Sequence, residues 1–147
     1  MADPPTRNTH DESQPHPLSA GVFSKKVQPV LNDPAKEVMI SCGAKHVIYN
    51  LIQVLCGEGQ EVVVPAPYWV SYSAIATLAE ARYVEIPSTI ETDFKITPQQ
   101  LEAAITPKTK MVFFNSPNNP SGTVYTEAEY RALAEVLEKH PQVYILS

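Results

Sequence analysis

From Glu37 onward, short β-rich runs alternate with segments of helical periodicity, which restricts the chain to a mostly parallel α/β sheet flanked by helices. Parallel neighbours need a crossover of a dozen or more residues, and a helix supplies it. Five runs read as strands, near 38–41, 61–65, 82–86, 110–114 and 142–146. Val38-Met39-Ile40-Ser41 is the first. Lys110 to Phe114 is the most apolar, as a central strand covered on both faces should be.

The segments between them carry helix signals. One helix opens at about Ala44, with Val47, Leu51 and Leu55 on one stripe and Ile48 and Ile52 beside it, and Gly57 and Gly59 end it. A second covers Trp69 to Leu78. Thr97-Pro98-Gln99-Gln100 is a capping box with proline at the first helical position, and it turns Leu101, Ala104 and Ile105 inward. Thr126-Glu127-Ala128-Glu129 repeats the device, followed by Tyr130, Leu133, Ala134 and Leu137 at i, i+3, i+4 and i+7. The last run, Gln142 to Leu146, has the character of a buried strand. The expectation is therefore a truncated domain over residues 35–147.

Residues 1 to about 34 differ. They hold six of the chain's 14 prolines and few large apolar groups, so burial cannot offset the entropy of ordering. A disordered or adventitious tail is expected there. Its first twenty residues lack the apolar stretch of a signal peptide, and Asp3, Asp11 and Glu12 count against an organellar transit peptide.

A net charge of −5, with no basic run longer than Lys25-Lys26, excludes an electrostatic nucleic-acid binder. Apolar stretches such as Val62 to Val64 are strand-sized, far short of a membrane span. Cys42 and Cys56 are too few for a disulfide framework and too far apart for a redox pair. A reducing, cytoplasmic setting is expected, and no metal-ligand pattern is present.

In open α/β sheets, ligands bind beyond the carboxyl ends of the strands. Three unusual segments fall at such ends. Cys42-Gly43-Ala44-Lys45 turns from strand into helix, where small residues, free amides and the helix dipole favour an anion. Lys45 in the first turn is unfavourable by itself and welcome once an anion docks. A plain turn with an exposed lysine is the other reading. Gly57-Glu58-Gly59 is no dinucleotide fingerprint, because it follows a helix and lacks a third glycine. Pro65-Ala66-Pro67-Tyr68-Trp69-Val70-Ser71-Tyr72 packs three aromatics into five positions, either core residues or a flat platform for a heteroaromatic ring. Asn115-Ser116-Pro117-Asn118-Asn119-Pro120-Ser121-Gly122 is either a polar turn or a rigid loop presenting asparagine as a hydrogen-bond donor.

SCGAK, PAPYWVSY and NSPNNPSG, in this order and rough spacing, resemble the fold-type I aminotransferases, closest to the aspartate aminotransferase branch. The resemblance runs from about Glu37 to Ser147 and implies the large, pyridoxal-phosphate-binding domain. In that family the turn matching Gly43, Ala44 and Lys45 gives backbone contacts to the cofactor's phosphate. The tryptophan matching Trp69 stacks on its pyridine ring, and the asparagine matching Asn119 hydrogen-bonds its 3-hydroxyl oxygen. Trp69 and Asn119 thereby also border the substrate. Ala66–Pro67 and Asn119–Pro120 are expected to be cis, as the matching bonds are.

The resemblance further implies an amino acid and a 2-oxo acid as substrates, an aspartate-like amino acid first among them, and a homodimer. The family's covalent anchor is a lysine in a Ser-x-x-Lys context. None of the eight lysines here has serine three positions before it. The family's pyridine-nitrogen aspartate and oxyanion tyrosine would follow the strand on which the sequence ends. Its carboxylate-binding arginine and its upstream glycine and tyrosine motifs have no counterpart. No catalytic residue is therefore assigned in this chain, which is expected to be an inactive central fragment. The alternative is a non-catalytic α/β module that binds a phosphate ligand or a partner chain.

Overall fold

The computed structural model describes residues 40–147. The tail expected over residues 1–34 lies outside the described residues, as do Val38 and Met39 of the first expected strand. Four strands form one sheet: β1 (Glu61–Pro65), β2 (Arg82–Ile86), β3 (Thr109–Phe113) and β4 (Tyr144–Leu146). Their order is β2-β1-β3-β4, and every neighbouring pair is parallel. Between them run helices α1 (Ala44–Leu55), α2 (Ser71–Leu78), α3 (Pro98–Ala104) and α4 (Glu127–Leu137), with a 3-10 turn at Ile90–Thr92.

Strand periodicity divides the core. Val62, Val64, Met111 and Phe113 point to one face, against Ile52 of α1 and Tyr72, Ile75 and Ala76 of α2. Val63, Val112 and Phe114 point to the other, against Leu101 of α3 and Leu133, Val136 and Leu137 of α4. Alternate residues of one strand serve opposite cores because successive side chains leave a strand on opposite sides. The doubly apolar runs seen in the sequence are the result.

Both capping boxes form. Gln100 N–H donates to Thr97 Oγ1 at 3.2 Å while Gln100 Oε1 accepts from Thr97 N–H at 2.9 Å. Thr126 and Glu129 exchange the equivalent bonds. Each cap satisfies amides that the first helical turn leaves without a partner.

Five expectations need correction. The second helix starts at Ser71, which leaves Trp69 in the loop before it. The last strand is a sheet edge with Tyr144 and Ile145 exposed, not a buried strand. Ile40 and Ser41 are irregular, not strand, because the Ser41 carbonyl is taken by Gly43 N–H at 2.8 Å, which starts the turn into α1. Within α1 only Ile52 is fully buried; Val47 and Leu51 are half-buried, so the inward stripe is centred on Ile52. In α4, Val136 is buried and Ala134 exposed, since the helix leans its C-terminal half on the sheet through Leu133, Val136 and Leu137.

Candidate functional site

The strand order creates a switch point. From β1 the chain crosses to β2 through α2, on one face of the sheet; from β3 it crosses to β4 through α4, on the other. The two connections diverge, and a crevice opens beyond the carboxyl ends of β1 and β3. It is lined by Val64 and Pro65 at the end of β1, by Phe113, Phe114 and Asn115 at the end of β3, and by Asn118 from the loop beyond.

The loop after β1 is held against β2. Ala66 N–H donates to the Ile86 carbonyl at 2.9 Å, Ser88 Oγ donates to the Ala66 carbonyl, and Tyr68 Oη donates to Glu85 Oε2 at 3.1 Å. Trp69 meets Tyr72 edge-on, with ring centroids 5.7 Å apart, and Tyr72 stacks on Phe113 at 4.5 Å. The indole is thus half-buried on an aromatic chain rooted in β3, which limits its freedom to tilt. Burial pushes the hydroxyls of Tyr72 and Tyr125 above the usual phenol range, and burial together with the Glu85 carboxylate does so for Tyr68. All three are neutral at physiological pH.

Gly43 precedes α1 with φ +82°, a left-handed conformation that favours glycine, and a Cβ there would meet nothing within 4 Å. The helix has no side-chain cap and no acidic residue in its first turn. Gly43 N–H is committed to Ser41, which leaves the Ala44 and Lys45 amides at the positive end of the helix. Lys45 reaches across, and its Nζ lies 4.9 Å from the centroid of the Trp69 ring. The anion-type helix terminus and the aromatic face, 24 positions apart in sequence, therefore meet.

The loop after β3 is built from its own hydrogen bonds. Asn118 N–H donates to the Thr123 carbonyl at 2.9 Å, and Gly122 N–H to the Asn118 carbonyl at 2.8 Å. With its amide turned to satisfy both neighbours, Asn115 accepts from Asn119 N–H at 3.1 Å and donates to the Pro117 carbonyl at 3.2 Å. Asn119 is exposed at the apex. Ala66–Pro67 and Asn119–Pro120 are both cis, as expected, and so is Ser116–Pro117, which no sequence signal distinguished.

Of the expected site residues, Lys45 and Trp69 are in direct contact, with Gly43 and Ala44 beside Lys45 in the same turn. Among the described residues Asn119 forms no hydrogen bond to Lys45 or Trp69; its loop is joined to the tryptophan loop through Asn118, which donates to the Pro67 carbonyl at 2.9 Å. Asn118, Tyr68 and Tyr72 stand in the motifs read from sequence but carry no individual assignment there. The two donors of a carboxamide nitrogen were the available sign for Asn118. Among the described residues no group of three or more His, Cys, Asp or Glu is placed to hold a metal ion, and no helix is long and apolar enough to cross a membrane.

The profile of the family "aminotransferase class I and II" matches residues 19–147. The aspartate/prephenate aminotransferase of Cereibacter sphaeroides is 51% identical over 111 residues, covering 76% of this chain and 28% of that protein. The aspartate aminotransferase of Geobacillus stearothermophilus is 51% identical over 108 residues, 74% of this chain and 27% of its own length. Among solved structures, the aspartate aminotransferase from Rhizobium meliloti superposes with a TM-score of 0.68 at 46% identity, over 70% of this chain and 26% of that one. An aromatic aminotransferase from Pyrococcus horikoshii gives a TM-score of 0.75 at 30% identity, over 83% and 33%. The chain spans about 28% of the length of the relatives it matches. A profile match over most of the chain, with the same fold at up to half the residues identical, shows that the chain belongs to the class I and II aminotransferase family.

Proposed function

We propose that this chain supplies the phosphate turn, the stacking face and one ring donor of a pyridoxal 5'-phosphate site. The reaction it serves is transfer of an amino group between an aspartate-like amino acid and a 2-oxo acid. The contact between Lys45 and Trp69 carries the reading, because it sets a cationic helix terminus beside an aromatic face. The cofactor has the matching parts, an anionic phosphate and a flat heteroaromatic ring.

The residues fit that group. The uncapped first turn of α1 has no acidic side chain to repel a phosphate, so the Ala44 and Lys45 amides and the Lys45 ammonium hold it. The half-buried indole of Trp69 offers a ring that its aromatic neighbours keep from tilting. Asn119 presents a carboxamide that donates to the ring oxygen and steadies its negative charge. When bound, the cofactor supplies the electron sink for chemistry at the substrate Cα; orientation and electrostatics are the protein's part.

The covalent anchor is a different matter. No lysine of this chain stands in the Ser-x-x-Lys context of the family, and Lys45 belongs to the phosphate end. The chain by itself therefore carries no transaminase turnover. In the longer protein the partners are the amino acid, the 2-oxo acid and a second subunit. A reducing, cytoplasmic setting agrees with its two unpaired cysteines.

Trp69 is the single tryptophan, so its emission reads this site alone. Pyridoxamine 5'-phosphate, which lacks the aldehyde that attacks lysines indiscriminately, should quench it saturably and more tightly than inorganic phosphate binds. Absence of quenching from a chain shown to be folded by circular dichroism refutes the proposal. Equal affinity for the two compounds favours a phosphate-binding module without ring recognition.

A further inference from the structure

Trp69 and Asn119 sit on different loops, and a ring held between a stacking face and a donor needs their separation fixed to a fraction of an ångström. Most bonds in the region stabilise one loop or the other. Ala66 and Tyr68 anchor the first to β2, while Asn118, Gly122 and Thr123 close the second on itself. Among the described residues, one side-chain hydrogen bond joins the two loops, from Asn118 Nδ2 to the Pro67 carbonyl at 2.9 Å.

The chemistry of that bond is specific. A carboxamide nitrogen carries two hydrogens, and both are used here, one on Pro67 and one on Ser121 Oγ at 2.8 Å. Ser121 is itself oriented by Thr123 Oγ1 at 2.8 Å. The Asn118 backbone is pinned from both sides, by its own N–H to Thr123 and by Gly122 N–H to its carbonyl. The side chain therefore springs from a fixed base, and its acceptor lies two residues before Trp69, while Asn119 follows Asn118 directly.

We propose that Asn118 is a positioning residue, a cross-loop strut that sets the spacing between the Trp69 ring and the Asn119 carboxamide. Its effect on ligand binding rests on the cofactor reading above; its effect on the empty site does not. Asn118→Asp is the near-isosteric test. It removes both donors and turns a carboxylate oxygen toward the Pro67 carbonyl, so the loops part.

In the ligand-free chain, Asn118→Asp should change the near-ultraviolet dichroism and emission of Trp69, because the ring loses its fixed contacts with Tyr72 and Lys45. Affinity for pyridoxamine 5'-phosphate should fall about tenfold. Affinity for inorganic phosphate should fall by a clearly smaller factor, since α1 is untouched and the added carboxylate repels the phosphate of both compounds alike. A general loss of structure would lower both affinities together, and the split separates the two cases.

If pyridoxamine phosphate fails to bind the wild-type chain, the cofactor reading falls, and the Trp69 spectra of the empty site still decide this proposal. If Asn118→Asp does not fold, the wild-type side-chain amide decides it: both Asn118 Nδ2 protons should exchange with solvent more slowly than those of the exposed Asn119. Exchange at the rate of Asn119, or an Asp variant that keeps the Trp69 spectrum and both affinities, overturns the proposal.

Discussion

Replacing Lys45 by methionine keeps the length of the side chain and removes its charge, and two terms then oppose each other. Lys45 is the second residue of α1, where a cation near the positive helix end costs about 0.3–1 kcal/mol. Its ammonium lies 4.9 Å from the Trp69 centroid, and such a contact at an exposed site contributes about 0.5–1 kcal/mol. The terms cancel to within about 0.7 kcal/mol, so the urea midpoint should move by less than about 0.4 M for a slope of about 2 kcal/mol/M. Anion binding has no such cancellation. A unit charge about 4 Å from a phosphate is worth about 1 kcal/mol even at the dielectric of water, which is about a fivefold change in affinity. Titration of Trp69 emission with inorganic phosphate and with pyridoxamine 5'-phosphate at low and high salt reads both effects. Lys45→Met should weaken each by at least about fivefold at low salt, and less at high salt. Unchanged affinities, or a midpoint lowered by about 1 M, would refute the division of labour between Trp69 and the anion.

Met111 is buried in the centre of the sheet, and Met111→Ala should cost about 2–5 kcal/mol by urea unfolding. Tyr125→Phe strips the acceptor from buried Ile96 N–H, now bonded to Tyr125 Oη at 2.9 Å, and should cost about 1–3 kcal/mol, with local loss of amide-exchange protection at Ile96. Thr126→Ala removes a helix cap and should cost about 1 kcal/mol. The Glu129 carboxyl is held below the usual carboxylate range, first by Thr126 N–H, then by the Thr126 hydroxyl and Lys95. Its contribution is therefore complete above the unfolded value near about 4.3 and lost as pH falls through the lowered folded value. Urea midpoints between neutral pH and pH ~3 should fall less steeply for Glu129→Gln than for wild type.

Features decided by near neighbours in the chain were legible in sequence. Both capping boxes lie within four residues, and both formed where Thr97 and Thr126 indicated. The strands at 61–65 and 82–86 appear with those bounds, and β3 and β4 differ from expectation by one or two residues at their ends. The run at Val38 to Ser41 has strand composition, yet Ser41 spends its carbonyl on the turn into α1. Composition does not reveal that choice. Which α4 residues face inward depends on how the helix leans on the sheet, so Val136 replaced Ala134. The bond from Asn118 to Pro67 spans 51 positions and the contact from Lys45 to Trp69 spans 24. The first depends on the strand order β2-β1-β3-β4 bringing two loops to one crevice, which Pro67 and Asn118 both line; the second depends on α1 and α2 packing on the same face of the sheet. The consecutive left-handed residues Asp93 and Phe94 had no sequence sign either, since neither is glycine. Lys95 beside them is clamped between Asp93 at 3.3 Å and Glu129 at 3.1 Å.

The most direct test of the account is covalent. The chain is incubated with one equivalent of pyridoxal 5'-phosphate, reduced with borohydride and mapped by peptide, with amino transfer to a 2-oxo acid followed in parallel. On the proposed reading no labelling concentrates on a single lysine and no transfer occurs, because Gly43, Ala44, Lys45, Trp69 and Asn119 would hold and orient a cofactor without an anchoring lysine. Groups that act as a unit lose their effect together, so partial turnover is not expected. A single reduced adduct at Lys45, accompanied by amino transfer, would contradict it.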